Sequence, residues 1–294
     1  MTLARNEGGF WRVAPPCPVG DLPTLLDRLR HKAQGGAVAM AVDLPLGLPR
    51  AYARAHGAVA DFPAFLRRLQ PQDAFFQVCP TLAEISPARP FYPAHGMAGM
   101  TRLSHARALG LDQASDLGRA CDRATPLRPA GAPLFWTLGA NQAGKAAISA
   151  WRDLIIPALH GPAPPRLWPF EGDLATLLSP SAVVIAETYP VEAMRQRGLK
   201  LAGSKRHQPS RAALAPDLLA ACAGLSLRLD PEMQTAIADG FGADAAGEDR
   251  FDSLLGLLGL LAVLQGQQPD FIPDDPWIRH WEGWVLGQTH VPDG

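Results

Sequence analysis

The chain has 294 residues, of which 47% are hydrophobic and 19% are charged, and its formal net charge is −1. This length suits one large or two small folded domains, and the near-zero charge argues against a protein that coats nucleic acid or an anionic membrane. The longest apolar run, Leu254–Leu264, is shorter than the roughly 20 residues of a membrane span, so no membrane association is expected.

The cysteines are far apart in the sequence and form no C-x-x-C pair. They predict reduced thiols in a cytoplasmic protein and indicate neither a disulfide framework nor a zinc site. The first residues contain no apolar run after a basic start, so a secretory signal is not expected.

The first sixty residues have the signals of an α/β core. Thr2–Arg5 and Phe10–Val13 flank the turn sequence NEGG and predict a β-hairpin. A segment with apolar residues at helical spacing follows the hairpin. The apolar run AVAMAV (37–42) then predicts a strand that is buried on both faces, and it ends in Asp43.

Residues from about 61 to 179 look like an insertion, because short helical stretches alternate there with proline-containing loops. A second buried strand, Ala182–Ala186, ends in Glu187. The last predicted helix, Phe251–Gln265, has small residues at Gly256 and Gly259 that favour close packing against the sheet.

Four carboxylates stand at the ends of these core elements. Asp43 and Glu187 each follow a buried strand, at the edge where α/β sheets place ligands. Asp249 and Asp252 are three residues apart near the start of the last helix, so they share one helix face. Two interpretations stay open: the acids form one site, or each has a local role as a turn cap, an arginine partner or a helix-terminal charge.

The stretch GANQAGKA (139–146) has the G-x-x-x-x-G-K spacing of a phosphate-binding loop. Such a loop needs a Ser or Thr after the lysine to hold magnesium, and Ala146 has no oxygen to offer. We therefore predict a loop that leads into a helix over Lys145–Leu154, with Lys145 partly exposed. A glycine-rich helix start still attracts phosphate, so Lys145 is a candidate phosphate contact.

A basic segment follows Glu187 at residues 200–211. It is either a solvated loop or a patch beside the acids in which Lys205 and Arg206 contact substrate phosphates, since backbone charge dominates affinity for nucleic acid.

The stretches VDLPLGLP, ETYP and EDRFDSLLG give the sequence a resemblance to the RNase H-like predicted nucleases, catalogued as domain of unknown function 429. WPFEG, GANQAGKA and EGWVLGQ are similar to parts of a bacterial branch of that family, so the resemblance extends over most of the chain. It implies an RNase H-like α/β fold, with a mixed five-stranded sheet flanked by helices.

The resemblance also implies that Asp43, Glu187 and Asp252 are catalytic ligands of Mg²⁺ or Mn²⁺, with Asp249 beside them. The chemistry is consistent, because hard divalent cations prefer carboxylate oxygens and two such ions can stabilise the attacking and leaving oxygens of phosphoryl transfer. Without a cation these acids would repel one another, so at least one raised pKa is expected.

One departure from the family pattern affects the expected activity. The family has a further acid-bearing strand ahead of the hairpin, whereas this chain starts in what resembles the second strand. Either the true start lies upstream, or Thr2–Arg5 pairs with AVAMAV instead. The first metal-binding acid is missing in both cases, so we expect weak metal binding and little or no cleavage.

We predict one domain over residues 1–294, with a core of about 1–60 and 180–265, an insertion of about 61–179 and a tail of 266–294. The predicted function is metal-dependent hydrolysis of phosphodiesters, in nucleic acid or a smaller molecule. Two alternatives stay open: a catalytically degenerate binding protein of the same fold, and a nucleotide-binding protein that uses GANQAGK.

Overall fold

A computed structural model describes residues 1–96, 99–125, 129–139 and 142–292 of the protein, which has an α/β architecture. Its strands, in chain order, are β1 (Ala4–Asn6), β2 (Trp11–Val13), β3 (Val38–Val42), β4 (Arg166–Leu167), β5 (Val183–Glu187) and β6 (Leu227–Leu229). Its α-helices are α1 (Leu25–Ala33), α2 (Arg50–His56), α3 (Phe62–Arg68), α4 (Arg102–Ala108), α5 (Ala143–Ala150), α6 (Ile156–Leu159), α7 (Leu174–Leu177), α8 (Pro190–Gln196), α9 (Gln208–Ala213), α10 (Ala215–Gly224), α11 (Pro231–Ala238) and α12 (Gly247–Leu264).

The strands form two sheets of three strands each within these residues. In the first sheet, of order β1-β2-β6, β1 and β2 are antiparallel with Ala4 opposite Val13, and β2 pairs parallel with β6. The second sheet, of order β3-β5-β4, is entirely parallel. The predicted hairpin and the two predicted buried strands are therefore confirmed.

The two sheets differ from the single mixed sheet that the family resemblance implies. β1 pairs with β2 and makes no ladder with β3, so the alternative in which Thr2–Arg5 pairs with AVAMAV is wrong. The short connection between β1 and β2 favours local antiparallel pairing over pairing with a strand that comes some thirty residues later. The sequence pattern also gave no signal for the very short strands β4 and β6.

Side chains of the insertion and of the last helix cover the two faces of the parallel sheet. On one face, Val42 and Ile185 belong to a large buried cluster with residues of the insertion such as Trp151. On the other face, Val184 packs with residues of α12 and with Trp284 of the tail. Because both faces are covered, the strands are apolar throughout, as the run AVAMAV predicts.

The glycines of α12 allow close packing, as the sequence predicts, but they approach Thr188 and helix α8 and not the strands of the sheet. A Cβ at Gly256 would lie 3.1 Å from Thr188 Cγ2, and one at Gly259 would lie 3.0 Å from Ala193 Cβ in α8. Although α12 is largely buried and apolar, no helix in the described ranges has the length and apolar character that a membrane span needs.

The backbone of the loop after β3 lies in direct contact with the backbone of the C-terminal tail. Leu48 N–H donates to the Trp281 carbonyl at 2.7 Å. A Cβ at Gly47 would lie only 2.0 Å from the Glu282 carbonyl oxygen, and one at Gly283 would lie 2.1 Å from the Leu46 carbonyl oxygen. This contact explains Gly47 of VDLPLGLP and Gly283 of EGWVLGQ, and it fixes the chain shortly after Asp43.

Candidate metal centre

Asp43 and Glu187 lie at the same edge of the parallel sheet. Val42, the last residue of β3, is opposite Glu187, the last residue of β5, and Thr188 N–H donates to the Val42 carbonyl at 2.9 Å. Both carboxylates therefore stand at the carboxyl ends of adjacent strands, and this part of the prediction is confirmed.

The pleat of the sheet nevertheless directs these two carboxylates to opposite faces. Residues paired across parallel strands project to the same face, so Glu187 shares the face of Val42, and Asp43 comes one residue later. Their neighbours agree with this: Glu187 contacts Arg119, whereas the largest charge effect on Asp43 comes from Asp252 of α12. The predicted single cluster is thus divided into two groups by its direct contacts, although the charge of Glu187 still raises the pKa of Asp43.

The first group consists of Asp43, Asp252 and Lys205. The Lys205 ammonium lies 2.6 Å from Asp252 Oδ2 and 3.9 Å from Glu248 Oε1. Asp249, which is exposed, raises the pKa of both Asp43 and Asp252 through its charge. Lys205 therefore pairs with two acids of α12, and its charge also lowers the pKa of Asp43, so it relieves part of the repulsion that the sequence predicts.

The pKa values of both central acids are raised. Burial raises the pKa of Asp252, and Lys205 opposes that shift. The pKa of Asp43 rises from 3.8 to about 7, first because protein atoms displace water around it and second because Asp252 is negative. Asp43 is nevertheless an exposed residue by its solvent-accessible surface, so water screens much of this effect. Asp252 Oδ1 is buried and makes no hydrogen bond within the described residues.

The second group is built around the ion pair of Glu187 and Arg119. Both Glu187 oxygens accept from the guanidinium, at 2.6 and 2.7 Å, and one also accepts the Leu46 N–H at 2.7 Å. Arg119 also pairs with Asp122 at 2.9 Å, and its side chain is only 1% exposed. This arrangement differs from the predicted role of Glu187 as a metal ligand, because a guanidinium stands where the cation would bind.

The protein places Cys121, Asp122 and Glu187 close enough to suggest a metal site, with ligand atoms within 4.8 Å of one another. No other group of three possible metal ligands lies this close together in the described parts of the chain. Asp43, Asp249 and Asp252 therefore do not form a second group of this kind. The Arg119 guanidinium already pairs with both carboxylates, and burial raises the pKa of Cys121 well above its ordinary value. Because the guanidinium already donates hydrogen bonds to both carboxylates, we interpret this group as a guanidinium site.

The three predicted phosphate contacts lie in different settings. Lys205 is held by Asp252, whereas the Arg206 side chain is 71% exposed and lies 3.9 Å from Glu248. Lys145 is exposed on α5, and no described contact connects it to the acids. Arg206 is therefore the candidate cation that has both access to solvent and a position beside the acids.

The GANQAGKA stretch leads into a helix, as predicted, since α5 is continued by a π-helical turn (Trp151–Ile155) and by α6. Ala140 and Asn141 lie outside the described residues. A Cβ at Gly144 would lie 2.9 Å from the carbonyl oxygens of Leu134 and Trp136. Close packing of the helix against the preceding segment therefore explains this glycine without a phosphate.

Comparison of the chain with family models, curated proteins and solved structures gave no match. Two ion pairs shape the site and had no signal in the sequence. Arg119 pairs with Glu187, and Lys205 pairs with Asp252. Arg119 is 68 residues from Glu187 and Lys205 is 47 residues from Asp252, so only the fold brings these partners together.

Replacing Asp43 with asparagine tests the raised pKa. Between pH 4 and 7 the folded protein retains a proton on Asp43 that the unfolded chain has lost, so stability falls as the pH rises through this window. Asparagine cannot ionise. We expect D43N to be more stable than the wild type at pH 8, by about 1 kcal/mol after allowance for solvent screening, and equally stable near pH 4.

Urea denaturation at pH 4, 6 and 8 measures this difference. Asp27→Asn is the matched control, because the Asp27 side chain is 81% exposed. An equal effect of D43N at pH 4 and pH 8 would show that the Asp43 carboxyl group ionises normally in the folded protein.

Proposed function

We propose that the protein is a divalent-cation-dependent hydrolase of phosphodiesters, in which Asp43 and Asp252 bind the cation and Asp249 assists them. The observation that supports this proposal is that α12 packs against β3, so that the charge of Asp252 raises the pKa of Asp43 just beyond the carboxyl end of the strand. Edges of this kind are where α/β proteins bind ligands.

The donor set fits Mg²⁺ or Mn²⁺. Carboxylate oxygens are the ligands that hard divalent cations prefer, and Asp252 Oδ1 is a buried oxygen without a hydrogen-bond partner among the described residues. A bound cation would supply Lewis-acid polarisation of a phosphoryl oxygen and a lowered pKa of bound water. Asp43 is protonated over part of the neutral range, so we expect cation binding to release a proton and to strengthen as the pH rises.

An RNase H-like fold and a cytoplasmic location belong to the same proposal. Support for the fold comes from the acids after the adjacent parallel strands β3 and β5 and from α12, which packs behind both sheets. None of the four cysteines, all of them in described segments, is in a disulfide. Arg206 is the residue that we expect to contact a substrate phosphate, because it is exposed beside Glu248.

A second candidate function is a catalytically degenerate binding protein that retains the cation site. The observation in its favour is the ion pair of Glu187 with Arg119, which removes one predicted ligand from the site. Fewer carboxylates bind a cation more weakly and leave less charge to hold a second one.

Hydrolysis of bis(p-nitrophenyl) phosphate with and without Mn²⁺ tests the first function. We expect slow release of p-nitrophenol that requires Mn²⁺ and falls at least about 100-fold in Asp43→Asn, because a stabilisation of several kcal/mol is lost. Lys32→Ala, at an exposed lysine of α1, is the control and should leave the rate unchanged.

Thermal melting in Mn²⁺ separates the two candidates. A rise in melting temperature without hydrolysis supports the degenerate binding protein, because a ligand that binds only the folded state stabilises it. The absence of both effects would contradict both candidates. Stabilisation by ATP with Mg²⁺, but not by Mg²⁺ alone, would instead favour nucleotide binding by GANQAGK.

A further inference from the structure

A cavity of about 440 Å³ lies between α2, α3 and the segment that follows α3. Tyr52 and His56 are one turn apart on α2, so both line it, and Phe65 and Leu69 line it in the same way from α3 and its end. Phe75 adds a third six-membered ring. The volume is in the lower part of the range of small-molecule sites, and none of the carboxylates at the sheet edge lines the cavity.

The rings of the cavity are held in place by their neighbours. Tyr52 and Phe75 are only 2% and 3% exposed, so they form the floor, whereas Phe65 and His56 are half-buried and form walls. The Phe65 ring meets the Phe75 ring edge to face at 5.4 Å, and the His56 ring meets the Tyr52 ring at 5.0 Å. Phe75 also stacks on Trp151. The walls are therefore aromatic and already ordered for a ligand.

Two of the three polar side chains in the cavity already use their polar atoms. Tyr52 Oη donates to the Pro87 carbonyl at 2.6 Å, and His56 Nε2 lies 2.9 Å from the Leu109 carbonyl oxygen. A carbonyl oxygen only accepts, so His56 Nε2 carries a proton and donates it there. Neither the hydroxyl group nor this nitrogen is free to bind a ligand.

The third polar side chain, Asp73, has an uncompensated charge. Its Oδ2 accepts the Gln70 N–H at 2.8 Å, and Asp73 makes no ion pair with any residue in the described ranges. Asp73 is half-buried beside the rings. A carboxylate and the negative faces of aromatic rings attract the same kind of group, a cation with an apolar surface.

We propose that this cavity binds a small organic cation that has a methylated ammonium group. The methyl groups would contact the rings of Tyr52, Phe65 and Phe75, and the positive charge would be compensated by Asp73. A metal ion fits poorly, because hard cations need several oxygen ligands and the cavity has one carboxylate among apolar walls. A primary ammonium would need acceptors for three N–H groups, whereas a methylated one needs the apolar contact that the rings supply.

Titration with choline and with its uncharged carbon isostere, 3,3-dimethylbutan-1-ol, tests the proposal on the unmodified protein. The two probes have the same shape, so the difference between them measures the charge. We expect choline to bind about tenfold more tightly, because only choline interacts with the ring faces and the carboxylate as a cation. In NMR spectra its methyl protons should shift upfield and show cross-relaxation with ring protons of Phe65 and Phe75.

Two variants separate the charge from the rings. Asp73→Asn should lower the affinity for choline about tenfold and leave that for the isostere unchanged, because the amide retains the shape but not the charge. Phe65→Leu retains an apolar side chain without a ring face and should also weaken choline selectively. Asp27→Asn is the control, because the Asp27 side chain is 81% exposed on α1, and it should bind choline as the wild type does.

Equal affinity for choline and the isostere would overturn the proposal, because the cavity would then be a purely apolar one. The absence of choline binding would overturn it as well, and so would wild-type affinity for choline in both D73N and F65L. Binding to phosphatidylcholine vesicles without binding of free choline would overturn it in favour of a membrane surface.

Discussion

Replacing Arg119 with methionine is expected to lower the free energy of unfolding by about 3–5 kcal/mol, the largest stability change that we predict. The change would leave the buried Glu187 carboxylate, and the Asp122 carboxylate whose side chain is 16% exposed, without their cation. It would also remove the hydrogen bond to the Leu46 carbonyl at 3.2 Å, which helps to hold the loop after β3. Urea denaturation measures the loss.

The double variant Arg119→Met with Glu187→Met tests the same ion pair. We expect it to be more stable than R119M, because replacing both members of a buried pair by apolar groups restores much of the stability. Arg152→Ala is the control: its partner Asp153 is 37% exposed, and we expect a loss below about 1 kcal/mol. If R119M lost no more stability than R152A, the ion pair would not be the main support of this edge of the sheet.

Replacing Lys205 with methionine is expected to increase the affinity for Mn²⁺ about tenfold, which corresponds to 1.4 kcal/mol. The Lys205 ammonium lies 2.6 Å from Asp252 Oδ2, so it competes with a metal cation for that carboxylate. Without Mn²⁺ the same variant should be less stable by about 1 kcal/mol, since the acids then repel one another without compensation. Isothermal titration calorimetry and urea denaturation measure the two effects.

Arg206→Met is the matched control, because Arg206 is also cationic but lies 3.9 Å from Glu248 and is largely exposed. It should leave Mn²⁺ affinity nearly unchanged. If Lys205 is instead a substrate phosphate contact, K205M would raise KM for the phosphodiester and leave Mn²⁺ affinity unchanged. That result would contradict the role of Lys205 as a competitor of the cation.

The elements of the core were predictable because their signals are local. AVAMAV and Ala182–Ala186 are apolar runs of strand length, and the hairpin has a glycine turn, so β1, β2, β3 and β5 all correspond to predicted strands. The end of each buried strand in an acid likewise predicted that Asp43 and Glu187 share one sheet edge. These inferences need only neighbouring residues and the periodicity of the backbone.

The division of the site was not predictable from the same signals. Strand alternation directs Glu187 away from Asp43, but the register of β3 against β5 that determines this is a tertiary feature. Arg119 comes from the insertion and Lys205 from the segment before α9, and nothing in their local sequence indicates an acidic partner. The position of an acid directly after a strand therefore predicts the edge of the sheet at which the acid lies. It does not predict the face of the sheet to which the side chain points.

Anomalous diffraction from crystals soaked in Mn²⁺ tests the central claim most directly. We predict a manganese peak between the carboxylates of Asp43 and Asp252, with the Lys205 ammonium displaced and the Arg119–Glu187 ion pair intact. A peak at Cys121, Asp122 and Glu187, or no peak near Asp43, would contradict the assignment of Asp43 and Asp252 as the cation ligands.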